Sequence, residues 1–150
     1  NLFVLWQFGG AVENRLAAGQ AEQGIALPGN YTFLMLYFGR LLIASIPAMY
    51  KHNDNPGYAS LGASGAVSAV LMAYILCFPT AKLLLFFIVP MPAFLAGALF
   101  FAYESYMNRA GGTRIAHDAH LWGAAYGVAF TFASDSGTME RLLSAIQMVF

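Results

Sequence analysis

The sequence predicts an all-α, polytopic bundle of membrane-spanning helices, and three observations carry that expectation. Charged residues make up 9% of the chain and hydrophobic residues 59%, against roughly 25% charged in an ordinary soluble domain. The mean hydropathy is +0.62. The apolar residues are gathered into windows at about 30–50, 60–80 and 83–104, with a shorter one at about 116–134, and a spanning helix needs about 20 mostly apolar residues. Such windows pack naturally into one helical bundle, because only helices and closed barrels satisfy their backbone polar groups in lipid.

Taken in order, the chain opens on "NLFVLWQFGGAV", closed by "ENRLAAGQAEQ". Residues 1–12 are too few to cross a hydrocarbon layer of about 30 Å at 1.5 Å per helical residue. With no initiating Met, they read as the second half of a helix that starts upstream. Polar loops marked by glycine or proline separate the windows: "AAGQAEQGIALPGN", "KHNDNPGY", a tight "FPTAK" and "NRAGGTRIAHD". Pro90 and Pro92 predict a kink in the third window, since proline removes a backbone donor. In "DSGTMERLLSAIQMVF", Met139, Leu143 and Ile146 recur at helical spacing beside Glu140, Arg141 and Gln147, the pattern of a short interfacial helix. The expected division is a core over 1–134 and an amphipathic tail over 135–150.

Charge excludes several classes. The net charge is zero, and the seven basic residues (Arg15, Arg40, Lys51, Lys82, Arg109, Arg114, Arg141) are scattered. Nucleic-acid binding has no electrostatic footprint here. If the helices alternate sides, Arg15, Lys82 and Arg141 lie on one face and Lys51, Arg109 and Arg114 on the other, with Arg40 inside a span, so orientation cannot be assigned from them. Cys77 is the single cysteine, so no intrachain disulfide forms, and its place in an apolar window makes it a small buried hydrophobe.

Polar groups inside apolar windows are costly and are functional hypotheses by default. Here they are Asn1, Arg40, Ser64, Ser68, His117 and His120, with Asp118 at a border. Ser64 sits in "GASG" at the mouth of a run with no charged residue, followed by a small-residue stripe of Gly65, Ala69 and Ala73. His120 opens "HLWGAAYG", where Gly123 and Gly127 form a second stripe. Small residues every fourth position let helices approach closely. If these two helices pair, Ser64 and His120 meet at one end of them. A serine nucleophile needs such an adjacent imidazole to take its proton and return it to the leaving group.

"GASG" opening one span, "AHDAHLWGAAYG" opening a later one and "NLFVLWQFGGAVE" ending an earlier one together resemble the rhomboid intramembrane serine proteases. The resemblance covers nearly the whole chain. It implies a six-helix core of which this chain holds the end of the second helix and all of the third to sixth. It implies an intramembrane serine endopeptidase acting on a transmembrane protein substrate in a lipid bilayer, without a cofactor. Ser64 is then the nucleophile and His120 the general base, a dyad with no third acidic member. Asn1 and the backbone N–H of Ser64 are the oxyanion donors. His117, one turn before His120 and on much the same face, reads from its position either as lining the mouth of the site or as a histidine at a loop end. The expected location is multi-pass in a bacterial inner membrane. A position that carries a stacking aromatic in some members is Ser68 here, so His120 must be oriented by Trp122, by Tyr126 or by a hydrogen bond.

Other readings are weaker. A metal site at His117, Asp118 and His120 lacks further ligands at known spacings, so no metal is assigned. Glu13 reads as a hydrogen bonder at a helix end. The rival from another class is an inactive rhomboid-like protein that binds client proteins, and the presence of both serine and histidine favours the enzyme.

Overall fold

A computed structural model describes residues 1–25, 27–43, 64–85, 88–110 and 117–149. Its elements in chain order are α1 (Leu2–Glu22), α2 (Gly29–Ile43), α3 (Ser64–Cys77), β1 (Lys82–Leu85), β2 (Val89–Pro92), α4 (Ala93–Ala110), α5 (His117–Ser134) and α6 (Thr138–Gln147). The expected helical architecture is present, with one small hairpin that was not expected. "KHNDNPGY", Gly62 and Ala63 lie outside the described residues.

α3 is the central helix. Nearly all of it is buried, from Gly65 to Cys77 apart from half-buried Leu71 and Tyr74, as expected of a helix that is apolar all round. On one side Val12, Leu16 and Leu36 pack on Ala69, Val70, Ala73 and Cys77. On the other, Met72 and Ile75 pack with Ala93 and Ala124.

The helix directions follow from their contacts. Gly19 of α1 lies against Asp135 just beyond α5, while Arg40, near the end of α2, reaches Gly65 and Gly123 near the starts of α3 and α5. The starts of α1, α3 and α5 therefore share one end of the bundle with the ends of α2 and α4. The opposite end holds Cys77, the hairpin and α6.

Two expectations are corrected. α1 continues well beyond residue 12 and ends at Glu22, because "ENRLAAGQAE" is rich in good helix formers and buries Leu16, Gly19 and Gln20 on one face. Gly24, at φ 77°, then breaks the helix, a left-handed conformation natural to glycine. Glu13 consequently lies inside α1 and not at its end. The second correction concerns the window at 83–104. Its first part is an antiparallel hairpin in which Lys82 faces Pro92, Leu83 faces Met91 and Leu84 faces Pro90. Pro90 and Pro92 force their preceding residues into extended conformations, and a two-stranded edge tolerates the missing donors. They do not kink a helix; Pro92 ends the strand where α4 begins. The Ala93 N–H donates to Ala81 O at 2.8 Å and the Phe94 N–H to Pro79 O at 3.1 Å, which ties the start of α4 to the turn after α3.

Among the described residues, no helix is long and apolar enough to cross a membrane. The 18 residues of α4 and of α5 span about 27 Å each, and their polar ends dilute the apolar stretch. The tail forms α6, which buries Thr138 and Ala145 and leaves Met139, Leu143 and Ile146 exposed.

Candidate active site

The two small-residue stripes do pack on each other. A Cβ added to Gly123 would lie 2.2 Å from Gly65 O, and one added to Gly127 would lie 2.4 Å from Ala69 O. Both distances are far inside contact, so α3 and α5 run side by side in the same direction with their backbones touching. Ser64 is the first residue of α3, one position before Gly65, and His120 lies one turn before Gly123. Both side chains are partly exposed at this shared end. Among the described residues no hydrogen bond joins them; the bond at this level is Ser68 Oγ donating to Ser64 O at 3.0 Å.

His120 is held from another direction. Glu104, buried on α4, sets Oε1 3.2 Å from His120 Nδ1 and Oε2 2.6 Å from His117 Nδ1. The resemblance implies a dyad with no acidic member; here a carboxylate lies beside the His120 imidazole. The aromatic alternatives for orienting His120 are engaged elsewhere: Trp122 is 52% exposed, and Tyr126 donates to Met35 O at 3.0 Å. His117 is not a mouth residue but is buried at 4% exposure, with its Nε2 lacking a partner and its ring edge-on to both Tyr103 and His120.

Arg40 occupies the notch between the two site helices. It is buried and donates from Nη2 to Ala119 O, while its guanidinium lies where side chains on Gly65 or Gly123 would go. The two glycines thus make room for a cation as well as for each other. Asn1 is the N-cap residue of α1, exposed, with no side-chain capping bond. It sits at the same end of the bundle as Ser64 and His120.

Three groups with ligand atoms converge within 4.8 Å of one another: Glu104, His117 and His120. For the histidines the ligand atom is either ring nitrogen, and both already turn Nδ1 toward Glu104. Among the described residues Asp118 belongs to no such group; its Oδ1 accepts from the Ala119 N–H at 2.8 Å.

Helices paired through glycine faces in this way make a close-packed helical bundle, and comparison gives its family. The rhomboid domain profile matches residues 1–134, and the chain belongs to the rhomboid family. Over 65 residues it is 42% identical to RHOMBOID-like protein 12, mitochondrial, of Arabidopsis thaliana, a stretch that covers 43% of this chain and 19% of that protein. No solved structure gives a significant match. The family is membrane-embedded. Nothing in these comparisons supports a bacterial inner membrane in particular, and the named relative is mitochondrial.

Proposed function

We propose that the chain carries the catalytic core of an intramembrane serine endopeptidase that cuts transmembrane protein substrates. The observation that carries this reading is the backbone contact of Gly65 with Gly123, which brings the helix starts bearing Ser64 and His120 together. Ser64 Oγ attacks the scissile carbonyl carbon as its proton passes to His120 Nε2. The oxyanion takes hydrogen bonds from the Ser64 backbone N–H and the Asn1 amide. Collapse expels the amine, which takes the proton from His120, and leaves an ester on Ser64. Water, deprotonated by His120, then attacks the ester, releasing the acid and restoring the serine.

Two features support this chemistry. The starts of α1, α3 and α5 lie at this end, and helix N-termini favour negative charge. Large apolar side chains such as Leu2, Trp6, Leu42 and Trp122 are exposed, which suits a surface facing lipid acyl chains.

The test uses the full-length protein in detergent, with a single-span substrate and a serine-directed fluorophosphonate. Ser64→Ala and His120→Ala are each expected to abolish cleavage, and the double variant to be little worse, since members of one nucleophile and base unit fail together. Substantial turnover by purified Ser64→Ala rules the serine mechanism out. Asn1→Ala is expected to lower kcat by about 10²- to 10³-fold with a much smaller change in KM; unchanged kcat moves the oxyanion site elsewhere.

The absence of a Ser64 to His120 hydrogen bond among the described residues favours one rival, an inactive rhomboid-like protein that binds membrane clients. A folded full-length protein that takes no label at Ser64 and cleaves nothing is what that rival requires.

A further inference from the structure

We propose that Glu104 is a positioning residue for His120, holding its imidazole in the tautomer and orientation that base catalysis requires. This rests on the reading of Ser64 and His120 as nucleophile and base.

The argument starts from burial. The Glu104 side chain is 7% exposed and those of His117 and His120 are 4% and 18% exposed, so the three polar groups must satisfy one another. An ionised carboxylate only accepts hydrogen bonds. Each Nδ1 that faces Glu104 therefore carries the hydrogen, and the neutral His120 ring keeps its lone pair on Nε2, the nitrogen turned away from Glu104. That is the atom a base facing Ser64 needs. The hydroxyls of Ser68 and Tyr126 are committed elsewhere, to Ser64 O and to Met35 O on α2.

The unequal distances assign roles to the two histidines. The bond to His117 is short, 2.6 Å, and pins Oε2 so that the carboxylate cannot rotate. Oε1 is left aimed at His120 at 3.2 Å, near the long end of the N–H···O range. When Ser64 gives up its proton to Nε2, the positive charge that forms on the ring lies beside a desolvated carboxylate. Glu104 makes and breaks no bond in this step, and the Nδ1 proton stays where it is. Among the described residues, the remaining charged or titratable groups on the elements packed at this level are His117 and Asp118 on α5, Tyr103 on α4, edge-on to His117, and Arg40 on α2, which reaches Ala119 O.

The test again uses the full-length protein and a transmembrane substrate. Glu104→Gln keeps the volume but removes the charge and turns a donor toward one imidazole. It is expected to lower kcat by about 10- to 100-fold, part of the 10²- to 10⁴-fold that general acid and base catalysis supplies, with KM changed by less than about two-fold. Glu104→Asp, which restores the charge, is expected to recover part of the loss. Wild-type kcat in folded Glu104→Gln, alongside an inactive Ser64→Ala, overturns this inference and leaves the protease reading intact. Turnover by Ser64→Ala removes both. Should Glu104→Gln fail to fold, ring ¹⁵N chemical shifts of His120 in the unmodified sequence decide the matter: the Nδ1–H tautomer is expected, and a predominant Nε2–H tautomer overturns it.

Discussion

Each end of the bundle holds one buried carboxylate between two basic side chains, and the two ends differ in what those bases are. At the end away from Ser64, Asp135 is fully buried. It accepts from Arg15 Nη2 and the Gly137 N–H at 3.1 Å each, lies 2.9 Å from Arg15 Nε and takes Arg141 Nη2 on its other oxygen. At the Ser64 end, Glu104 has the same forked arrangement, but with His117 and His120. A guanidinium does not give up its proton in a protein, so Asp135 is a permanent clamp joining α1 and α6 to the end of α5. A neutral imidazole carries one donor and one acceptor nitrogen, so the Glu104 arrangement can take part in proton transfer. An acid buried between two bases is thus not by itself a sign of chemistry; the proton affinity of its partners decides.

The largest effect expected from breaking this comparison is on stability, at the clamp. Asp135→Ala leaves two guanidiniums facing each other over a void. Removing one partner of a buried ion pair costs about 3 to 5 kcal/mol. The Arg15 and Arg141 side chains are 24% and 28% exposed and can turn partly to water, which puts the expected loss near the lower figure, about 3 kcal/mol. Unfolding of the full-length protein in mixed micelles measures it. Turnover per folded molecule is expected to stay within about two-fold, the reverse of Glu104→Gln. Should Asp135→Ala instead lower kcat at unchanged stability, the distinction between the two ends is lost.

A smaller effect is expected from separating the two site helices without touching either cluster. A Cβ on Gly127 would meet Ala69 O at 2.4 Å, Ala69 Cα at 2.8 Å and Ala69 C at 2.9 Å. All three are backbone atoms, so a helix must move. Overpacking costs about 1 to 3 kcal/mol, and alanine's better helix propensity returns up to about 1 kcal/mol, for a net loss of about 1 to 2 kcal/mol. Because a shift of about 1 Å in reacting groups can cost about 10²-fold in rate, Gly127→Ala is expected to lose more activity than its stability loss explains. Cleavage assayed beside thermal unfolding separates the two. Activity that falls only in step with the folded fraction shows that the α3 to α5 spacing does not set the site geometry.

What was legible in the sequence was whatever repeats locally. The stripes Gly65, Ala69 and Gly123, Gly127 lie within one helix each, so their period pointed to the contact they make. The hairpin was not legible, because a short apolar run such as "KLLLFFIVPMP" has no periodicity that separates strand from helix, and two prolines suit a strand edge as well as a kink. The extension of α1 was hidden by a composition that reads as loop when Ala, Gln and Gly are weighed without the burial of Leu16 and Gly19. Glu104 was missed as a partner of His120 because the contact joins two different helices, and spacing within one helix cannot report it. The available signal was its isolation: in "AFLAGALFFAYESYMNRA" it is the only acidic residue, and a lone ionisable group in an apolar helix is a functional hypothesis.

The smallest expected effect is none at all, and it sharpens the comparison most cheaply. Histidine partners, unlike arginines, can bind a divalent cation, so the substitution of bases that makes the Glu104 end able to move protons also makes it the end where a metal could sit. Glu104, His117 and His120 offer three ligand atoms within 4.8 Å of one another, enough for a catalytic zinc with one open position. A zinc on these three groups would take an oxygen of Glu104 as a ligand, whereas the positioning role needs that carboxylate to accept from both rings. The two readings differ in what Glu104 does. Treating the full-length protein with EDTA or phenanthroline is therefore expected to leave cleavage and fluorophosphonate labelling of Ser64 unchanged. A loss of cleavage on chelation that added zinc restores would replace the serine mechanism with a metal-activated water, and Glu104 would pass from orienting a base to ligating a cation.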